Sequence, residues 1–552
     1  MTVVATGFRW SDLYRPPDLN PINHKARSVP ILNPINMYGR VFFFSWFGFM
    51  VAFWAWYAFP PLLTVTIKAD LNLTMEQVAN SNTVSLCATL LVRVVSGPLC
   101  DLFGPRKVFG GLLLLGAIPT GLASLIHNGT GLYAVRFFMG ILGGSFVPCQ
   151  VWSTTFFDKN IVGTANAMTG GFGNAGGGIT YIIMPAVFNS LTDHQGYTDD
   201  TAWRLTFLVP LVVVLVTGVA LLVLCPDTPD GNGVGAFGID AAPPIVATNL
   251  EDEDKLSRIS LGHSRERSAN RNNAFGANIS SPSSSSSPPD SSPGLRPATT
   301  SSSHEVRLSS TEMLETVRGE IVQPPSAAEV HQVTFSPHTW ALMLAYMCSF
   351  GAELAINAVL SSYYLHNFPS LGQTGASNWA SMFGFLNLVT RPIGGIVADL
   401  LYGGGHGSSD HAEGHGNLWW KKHWITVCGV LSGVSLVIVG CLDSEHEATM
   451  FGLVALCAVF LEAGNGANFA LVPHVHPFAN GIVSGLTGAA GNVGGIIFSV
   501  IFRFVTHASS VPRGPALMDY GKAFWIIGII HIAVNLSVSW ISPIPKNQIG
   551  GH

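Results

Sequence analysis

Long apolar segments recur along the chain from Val41 to Ile541, and they restrict its fold more than any other feature. A run of about 18 or more apolar residues is long enough to cross a bilayer as a helix. Only 11% of the 552 residues are charged, whereas soluble proteins usually carry about 25%. The 27 basic residues against 32 acidic ones leave no basic surface for nucleic acid. These features exclude a soluble enzyme and a nucleic-acid-binding protein, and they predict an all-α membrane protein with many spans.

Twelve segments are long and apolar enough to be transmembrane helices, and we number them as spans 1 to 12. Their approximate ranges are 41–66, 79–100, 108–127, 131–153, 163–190, 203–225, 338–362, 376–401, 421–442, 449–472, 479–504 and 520–542. At about 1.5 Å per residue, a helix of this length crosses a hydrocarbon core of about 30 Å. All eight cysteines lie in or beside these runs, without the spacing of a disulfide framework.

The segment between the sixth and seventh spans differs in composition from the rest of the chain. Twelve of the 24 residues from Ser280 to Ser303 are serine, with prolines between them. Such a segment buries too little apolar surface to offset the entropy lost on ordering it. We therefore predict a cytoplasmic N-terminal segment (1–40), a six-helix bundle (41–225), a disordered cytoplasmic linker (226–337), a second six-helix bundle (338–542) and a C-terminal tail (543–552). The linker is either a tether or a phosphorylated segment that binds a kinase or another regulatory partner.

Lysine and arginine residues are divided unequally between the two sides of the predicted spans. With the N-terminus in the cytoplasm, the cytoplasmic segments hold 19 of these residues and the outer loops hold 5. Membrane proteins carry their excess positive charge on the cytoplasmic side. We therefore predict that both termini are cytoplasmic, which places the glycosylation sequons at Asn72 and Asn128 on outer loops.

Three sequence elements of the first six spans recur in the same order in the last six. Arg93, Gly97 and Asp101 of span 2 recur in span 8 as Arg391, Gly395 and Asp399, with the same offsets of four and eight residues. The glycine-rich run 169–177 of span 5 recurs at 487–495 in span 11, and a Val-Pro element of span 4 recurs in span 10. Two related bundles around a central site are typical of secondary transporters. The repeats therefore predict two pseudo-symmetric six-helix bundles with a binding site at their interface.

The repeated arginines, Arg93 and Arg391, lie inside predicted spans, where an unpaired charge costs several kcal/mol. Well inside the spans there are two carboxylates, Glu353 and Glu462, and both belong to the second bundle. Two guanidinium groups that face one cavity can bind a small oxyanion through paired hydrogen bonds. The alternative is that each arginine extends to the membrane interface or pairs with a helix end. Because the two arginines match in the repeat, we predict an anion site.

Asn174 and Asn492 occupy matching positions in the two glycine-rich runs. An amide in hydrocarbon needs a hydrogen-bond partner, so these side chains could bind an oxyanion or orient the arginines. We interpret the surrounding glycines as sites of close helix packing. Glu353 and Glu462 are either counter-ions for the arginines or proton carriers, and the sequence does not distinguish the two roles.

Two motifs carry a resemblance to a known family. The segment 97–107, Gly-Pro-Leu-Cys-Asp-Leu-Phe-Gly-Pro-Arg-Lys, resembles the signature loop of the major facilitator superfamily. The glycine-rich runs at 170–178 and 488–495 resemble the paired nitrate signatures of its nitrate/nitrite porter family, and the long serine-rich linker is similar to that of the fungal branch. The resemblance covers all twelve spans. It implies a multi-pass transporter in the plasma membrane that imports nitrate, and nitrite as well, by alternating access.

The resemblance also implies roles for individual residues. Arg93 and Arg391 would hold the anion together with Asn174 and Asn492, between aromatic rings that favour a planar ion. The implied aromatic residues are Phe47 of span 1, Phe146 of span 4, and Tyr346 and Phe350 of span 7. Gly97, Asp101, Arg106 and Asp399 would govern the change between inward-open and outward-open states, although no Arg-Lys pair follows Asp399 as it follows Asp101. Arg136 resembles a superfamily arginine to which we assign no role.

Import of an anion must overcome the membrane potential, which opposes it by about 2.3 kcal/mol per charge per 100 mV. One proton cancels the charge of one nitrate ion, and two protons make import electrically favourable. We therefore expect proton symport, with nitrate/nitrite exchange and a non-transporting nitrate sensor as the alternatives. We expect no cofactor, and the irregularly spaced histidines between 406 and 423 predict a solvated loop in preference to a metal site.

Overall fold

Every predicted span contains an α-helix in the computed structural model, which describes residues 10–20, 23–159, 161–229, 326–403, 418–507 and 517–545. Most of the predicted linker (226–337), most of the C-terminal tail (543–552) and the histidines from 406 to 415 lie outside these described residues. Eleven described helices are long and apolar enough to cross a membrane. The glycine-rich helix at the position of span 5, Val162–Asn189, is long enough at 28 residues but is not among these eleven. The prediction of an all-α membrane fold is confirmed.

The first half of the molecule contains spans 1 to 6. Its α-helices are Met37–Trp56 (span 1), Pro60–Leu62, Lys68–Asp70, Met75–Phe103 (span 2), Pro105–Leu122 (span 3), Gly129–Gly143 and Phe146–Phe156 (span 4), Val162–Asn189 (span 5), and Asp199–Thr206 and Leu208–Leu224 (span 6). Shorter helices of other types are Trp10–Leu13, Leu63–Ile67, Ala123–Leu125 and Ser190–His194.

The second half contains spans 7 to 12. Its α-helices are Ala327–Thr334, Pro337–Asn367 (span 7), Gly372–Gly403 (span 8), Leu418–Leu442 (span 9), Glu447–Val475 (span 10), Asn480–Phe504 (span 11) and Tyr520–Val538 (span 12). Short 3-10 helices cover Pro369–Leu371 and Pro477–Ala479, and the antiparallel strands Thr506–His507 and Leu517–Met518 lie between spans 11 and 12.

Local sequence signals set several helix ends. Thr74 and Gln77 exchange side-chain and backbone hydrogen bonds at the start of span 2, forming a capping box. Span 3 begins at Pro105, a residue that suits the first turn because it has no N–H to satisfy. Gly104 precedes it with a φ of 91°, a backbone conformation that glycine adopts without steric cost. Gly104 and Pro105 together explain why spans 2 and 3 are separated by a single residue.

Span 4 is interrupted between Gly143 and Phe146. The N–H groups of Gly144 and Ser145 bond to carbonyls three residues earlier, which tightens the chain at this point. The carbonyl of Gly143, beside the interruption, accepts a hydrogen bond from Nε of Arg93 at 2.9 Å. The interruption therefore fixes span 4 to span 2, and it places Phe146 at the start of a new helical segment.

Two helix pairs form the most extensive contacts between the halves: span 2 packs against span 11, and span 5 packs against span 8. A Cβ atom on Gly97 would lie 2.4 Å from the carbonyl oxygen of Gly481, and one on Gly395 would lie 2.6 Å from that of Gly163. These two glycine pairs are equivalent in the sequence repeat. The repeat therefore produces two equivalent close contacts, in which the C-terminal parts of spans 2 and 8 pack against the starts of spans 11 and 5.

Candidate functional site

Arg93 and Arg391 are fully buried, and each approaches the glycine-rich helix of the opposite half. Nη1 of Arg93 donates a hydrogen bond to the carbonyl of Gly488 at 2.9 Å. A Cβ atom on Gly170, the repeat equivalent of Gly488, would lie 2.7 Å from Nε of Arg391. The two arginines therefore occupy equivalent positions at the interface, and neither extends to the surface.

Three nearly parallel aromatic rings lie beside the two guanidinium groups. The Phe146 ring is 6.1 Å from those of Tyr346 and Phe350, which are 5.0 Å from each other, and the ring planes differ by at most 14°. Cζ of Arg93 is 5.0 Å from the centroids of Phe146 and Phe350, while Cζ of Arg391 is 5.4 Å and 5.9 Å from them. These distances are within the range of cation–π attraction. Both arginines therefore contact the same two rings, one from each half.

Several polar atoms at this place are buried without a hydrogen-bond partner in the described part of the chain. They are Nη2 of Arg93 and Nε and Nη1 of Arg391; both side-chain amide atoms of Asn174, one turn of span 5 after Gly170, are also buried without a partner. The remaining Arg391 nitrogen, Nη2, donates to the hydroxyl of Tyr346 at 3.0 Å. Buried polar groups are nearly always paired in folded proteins, and unpaired guanidinium N–H groups match the acceptors of a small oxyanion. This combination can bind a small anion.

The structure brings together five of the eight residues expected around the anion: Arg93, Arg391, Phe146, Tyr346 and Phe350. Asn174 and Asn492 are buried nearby on spans 5 and 11, and Nδ2 of Asn492 is 3.4 Å from the carbonyl of Gly488, which also binds Arg93. Phe47 is not brought there, because it stacks on Phe43 with ring centroids 5.2 Å apart.

Phe49 takes the position expected for Phe47. Its ring centroid is 5.4 Å from that of Phe146, and it fits there because Gly173 has no Cβ. Residues two apart on a helix point in nearly opposite directions. The periodicity of span 1 could have favoured Phe49 only if the buried face of the helix had been known.

Phe469 of span 10 is a site residue that the sequence analysis missed. Its ring lies edge-on to Phe146 at 4.8 Å and to Tyr346 at 5.0 Å. No repeat or motif singles it out, because the residue that corresponds to Phe146 in the repeat is Leu471. The ring closes the aromatic group from the side of the second half.

Glu353 and Glu462 are both buried within the second half, beside Arg391. The carboxylate of Glu353 accepts hydrogen bonds from Nδ2 of Asn387 at 2.9 Å and of Asn465 at 2.6 Å. Glu462 contacts the hydroxyl of Thr390, the residue before Arg391. Neither acid lies within ion-pair distance of a cation among the described residues.

Asp101 and Asp399 lie at the same end of the bundle and bind the opposite half in equivalent ways. The Asp101 carboxylate interacts with the backbone N–H groups of Gly481 and Ile482, at the start of span 11. Oδ2 of Asp399 accepts hydrogen bonds from the Thr164 N–H at 2.6 Å and its hydroxyl at 2.8 Å, at the start of span 5. A carboxylate at a helix N-terminus is stabilised by the helix dipole and the free N–H groups. These two contacts hold this end of the interface closed.

Arg106 stays within the first half. Its Nη1 donates to the carbonyl of Cys225 at 2.6 Å, and its backbone N–H donates to Oδ1 of Asp227 at 3.0 Å. Burial raises the pKa of the Asp227 carboxyl above its usual range, while the hydrogen bond from Arg106 opposes that shift. Arg106 therefore joins the start of span 3 to the end of span 6, and its described hydrogen bonds do not cross the interface.

Lys421 supplies the cation that the motif after Asp399 lacks. Its Nζ lies 2.9 Å from Oδ1 of Asp399 and 3.2 Å from the carbonyl of Ala470. Lys421 comes from the start of span 9, 22 residues after Asp399, so no motif links the two residues. The lysine is fully buried, and the exposed fraction of the Asp399 side chain is 8%.

We predict that Lys421→Ala lowers the free energy of unfolding by about 3–5 kcal/mol, because it leaves the buried charge of Asp399 without a partner. The melting temperature of the purified protein measures this effect. Lys107→Ala, which removes an exposed lysine, is the control and should leave the melting temperature unchanged. The double variant Asp399→Asn with Lys421→Met should have a higher melting temperature than Lys421→Ala. If Lys421→Ala, Lys107→Ala and the double variant all lowered the melting temperature equally, the ion-pair explanation would be contradicted.

Other contacts join the halves at the opposite end of the bundle. Arg503 of span 11 pairs with Glu76 and Asn80 of span 2. The hydroxyl of Tyr181 donates to the carbonyl of Asn357 at 2.9 Å, beside a cavity of about 60 Å³ between the halves. Arg136 is also buried, but it contacts Ser81 and Phe59 and not the aromatic group around Arg93. In this conformation both ends of the interface are therefore bridged.

Comparison with known proteins gives one family match. Residues 45–499 match the family described as the Major Facilitator Superfamily, so the match begins in span 1 and ends in span 11. It includes both arginines, both glycine-rich runs and the rings of Phe49, Phe146, Tyr346, Phe350 and Phe469.

Several characterised proteins are similar over most of the chain. "Elsinochrome transporter 1" of Elsinoe fawcettii is 32% identical over 97% of this chain and 98% of its own length. "High affinity nitrate transporter 2.5" of Arabidopsis thaliana is 30% identical over 94% of this chain and 82% of its own length. "Nitrate/nitrite transporter NrtP" of Picosynechococcus sp. is 25% identical over 92% and 93%, respectively.

Proposed function

Because the chain belongs to the Major Facilitator Superfamily, we propose that it is a transporter that binds nitrate between Arg93 and Arg391 and imports it across the plasma membrane. The observation that carries this proposal is the pair of buried guanidinium groups with unpartnered N–H donors, one from each half. Relatives named as nitrate transporters are similar over 92–94% of this chain and support nitrate as the anion.

The aromatic rings support a planar substrate. Phe146, Tyr346 and Phe350 are nearly parallel, so an ion that enters between the guanidinium groups lies beside flat surfaces. Nitrate and nitrite are planar, and their oxygens can accept hydrogen bonds from the edge of a guanidinium group. Tetrahedral sulfate and phosphate are thicker than a planar ion and fit less closely beside these flat surfaces. The site is therefore selective for small planar oxyanions.

Alternating access in this proposal means breaking the bridges at one end of the interface while those at the other end persist. Asp101 and Asp399 close the end that we assign to the cytoplasm, and Arg503 with Glu76 closes the outer end. Arg93 binds Gly488 across the interface, so an anion that competes for this guanidinium changes a contact between the halves. Substrate binding is thereby coupled to the movement of one half relative to the other.

Proton symport is the proposed mode of coupling, and nitrate/nitrite exchange is the alternative mode. Import of an anion alone is uphill by about 2.3 kcal/mol per 100 mV, and co-transported protons reverse that cost. Glu353 and Glu462 are buried acids beside Arg391 that could hold protons. A nitrate sensor that signals through the linker would use the same binding site and would show binding without flux.

Transport of elsinochrome is a second candidate function, favoured by the similarity to the Elsinoe fawcettii protein over nearly the whole chain. The same binding site argues for a small ion, because charged donors and closely spaced rings surround it. An elsinochrome transport assay on the same cells distinguishes the two candidates.

We predict that a cell without its own nitrate uptake takes up labelled nitrate when it expresses this protein, and that inward current grows as the external medium is made more acidic. Cells with an empty vector provide the background. Sulfate in excess should not compete, whereas nitrite should. One-for-one exchange without any current would contradict proton symport but not nitrate as the substrate. Absence of both nitrate uptake and nitrate binding would contradict nitrate as the substrate.

A further inference from the structure

The two buried glutamates beside Arg391 have different hydrogen-bond partners. Glu353 accepts two amide N–H groups, from Asn387 and Asn465, and both arginines interact with it electrostatically. Amide donors and nearby cations stabilise a carboxylate in its charged form. Glu353 is therefore suited to be the permanent counter-charge of the arginine pair.

Among the described residues, Glu462 receives no amide hydrogen bond. Its Oε2 contacts the Thr390 hydroxyl, but that hydroxyl also lies 2.9 Å from the carbonyl of Leu386. A hydroxyl has one proton to donate, and a backbone carbonyl is an acceptor only. When Thr390 donates to Leu386, the contact with Glu462 is a hydrogen bond only if the carboxyl group carries a proton and donates it.

Three acceptor atoms of Glu462, Asn387 and Asn465 also lack a hydrogen-bond donor within the described ranges. Oε1 of Glu462, Oδ1 of Asn387 and Oδ1 of Asn465 are buried and have no partner among the residues the structure describes. All three are acceptors when Glu462 is ionised. Buried acceptors are nearly always paired with a donor. A proton bound to the Glu462 carboxyl group would supply such a donor.

Within the described part of the chain, three charged or titratable groups interact electrostatically with Glu462. These groups are Glu353 of span 7, Arg391 of span 8 and the thiol of Cys457, five residues earlier on span 10. Glu353 repels a second negative charge, so the two acids are not easily ionised together. The difference in hydrogen bonding determines which of them takes the proton.

We propose that Glu462, with Thr390 as its hydrogen-bond partner, binds one of the transported protons, while Glu353 remains the fixed counter-ion of Arg93 and Arg391. The inference rests on the proposed nitrate symport. A proton from water on one side forms the O–H bond of the Glu462 carboxyl group. The same bond breaks toward water on the other side, which regenerates the carboxylate, and no other bond changes.

Two assays on reconstituted vesicles separate proton coupling from nitrate recognition. The first measures counterflow of labelled nitrate into nitrate-loaded vesicles at equal pH, which needs only the anion site. The second measures nitrate accumulation driven by an imposed pH gradient. Glu462→Gln keeps the shape of the side chain and removes the titratable group, so it should keep counterflow and lose accumulation. Glu462→Asp keeps an acid and should retain accumulation driven by the pH gradient.

Each outcome has a defined meaning. Accumulation that persists in Glu462→Gln overturns the assignment while the proposed function stands, and loss of counterflow together with accumulation overturns it as well. Loss of accumulation in Glu462→Asp with counterflow intact also overturns it. If the unmodified protein shows neither counterflow nor accumulation of nitrate, the proposed function itself fails.

Discussion

Nitrate uptake should fall at least about 100-fold when either Arg93 or Arg391 is replaced by lysine, because each change removes charged hydrogen bonds worth about 1.5–3 kcal/mol apiece. Lysine keeps the positive charge and loses the planar fork of donors. In Arg93→Lys the bonds to Gly143 and Gly488 are lost as well, and in Arg391→Lys the bond to Tyr346 is lost. Initial rates of labelled nitrate uptake, corrected for the amount of protein at the membrane, measure the effect.

Arg136→Lys is the matched control for this prediction. Arg136 is equally buried in a span of the same half, but it lies away from the aromatic rings at the interface. Uptake by this variant should fall much less than by the other two. Near-normal uptake in Arg93→Lys and Arg391→Lys would contradict recognition of the anion by guanidinium groups.

A methyl group added at Gly170 should reduce uptake about 10- to 100-fold, since overpacking a well-packed site costs about 1–3 kcal/mol. A Cβ atom there would lie 2.7 Å from Nε and 3.1 Å from Cζ of Arg391, which forces the guanidinium out of position. Gly170→Ala therefore acts on the anion site directly, and the expected effect is on the affinity for nitrate more than on the amount of folded protein. Concentration-dependent uptake measures this change.

Two alanine variants of other glycines test the same argument. Gly177 lies in the same helix as Gly170, and a Cβ atom there would be 3.5 Å from its nearest neighbour. Gly488 is the repeat equivalent of Gly170, and a Cβ atom there would be 3.4 Å from its nearest neighbour. Both distances are ordinary van der Waals contacts. Gly177→Ala and Gly488→Ala should therefore transport nitrate nearly as well as the unmodified protein. Equal losses in all three variants would mean that the glycines serve helix packing in general and not the position of Arg391.

The superfamily, the all-α membrane fold and the absence of an enzymatic role could be predicted from sequence, and membership of the Major Facilitator Superfamily confirms these predictions. The information lay in features that are visible directly in the sequence: long apolar runs, charge at their ends and motifs repeated between the two halves. Arg93 and Arg391 could be paired because the repeat aligns them, although their distance from one another could not be inferred.

The remaining parts of the site depend on how each helix is rotated and what it meets. Phe47 and Phe49 differ only in the face of span 1 that they occupy, and Phe469 is not marked by any motif. Lys421 joins Asp399 through the packing of spans 8 and 9. Such contacts are set by tertiary structure, so apolar periodicity and motif spacing do not reveal them.

The interpretation of the glycine-rich runs as packing sites describes only part of what they do. A Cβ atom on Gly176 would lie 2.2 Å from the carbonyl oxygen of Met50, which fits close helix packing. Gly170 instead faces a charged side chain, and Gly491 faces the rings of Phe350 and Tyr346. Neighbouring glycines in one run thus serve different purposes, because successive residues of a helix face different partners.

An experimental structure of the purified protein with nitrate tests the central claim most directly. We expect one planar anion between the halves, within hydrogen-bond distance of Nη2 of Arg93 and Nη1 of Arg391 and beside the ring of Phe146. A nitrate ion bound elsewhere, with both guanidinium groups still engaged as they are now, would contradict the claim that this pair recognises the transported ion.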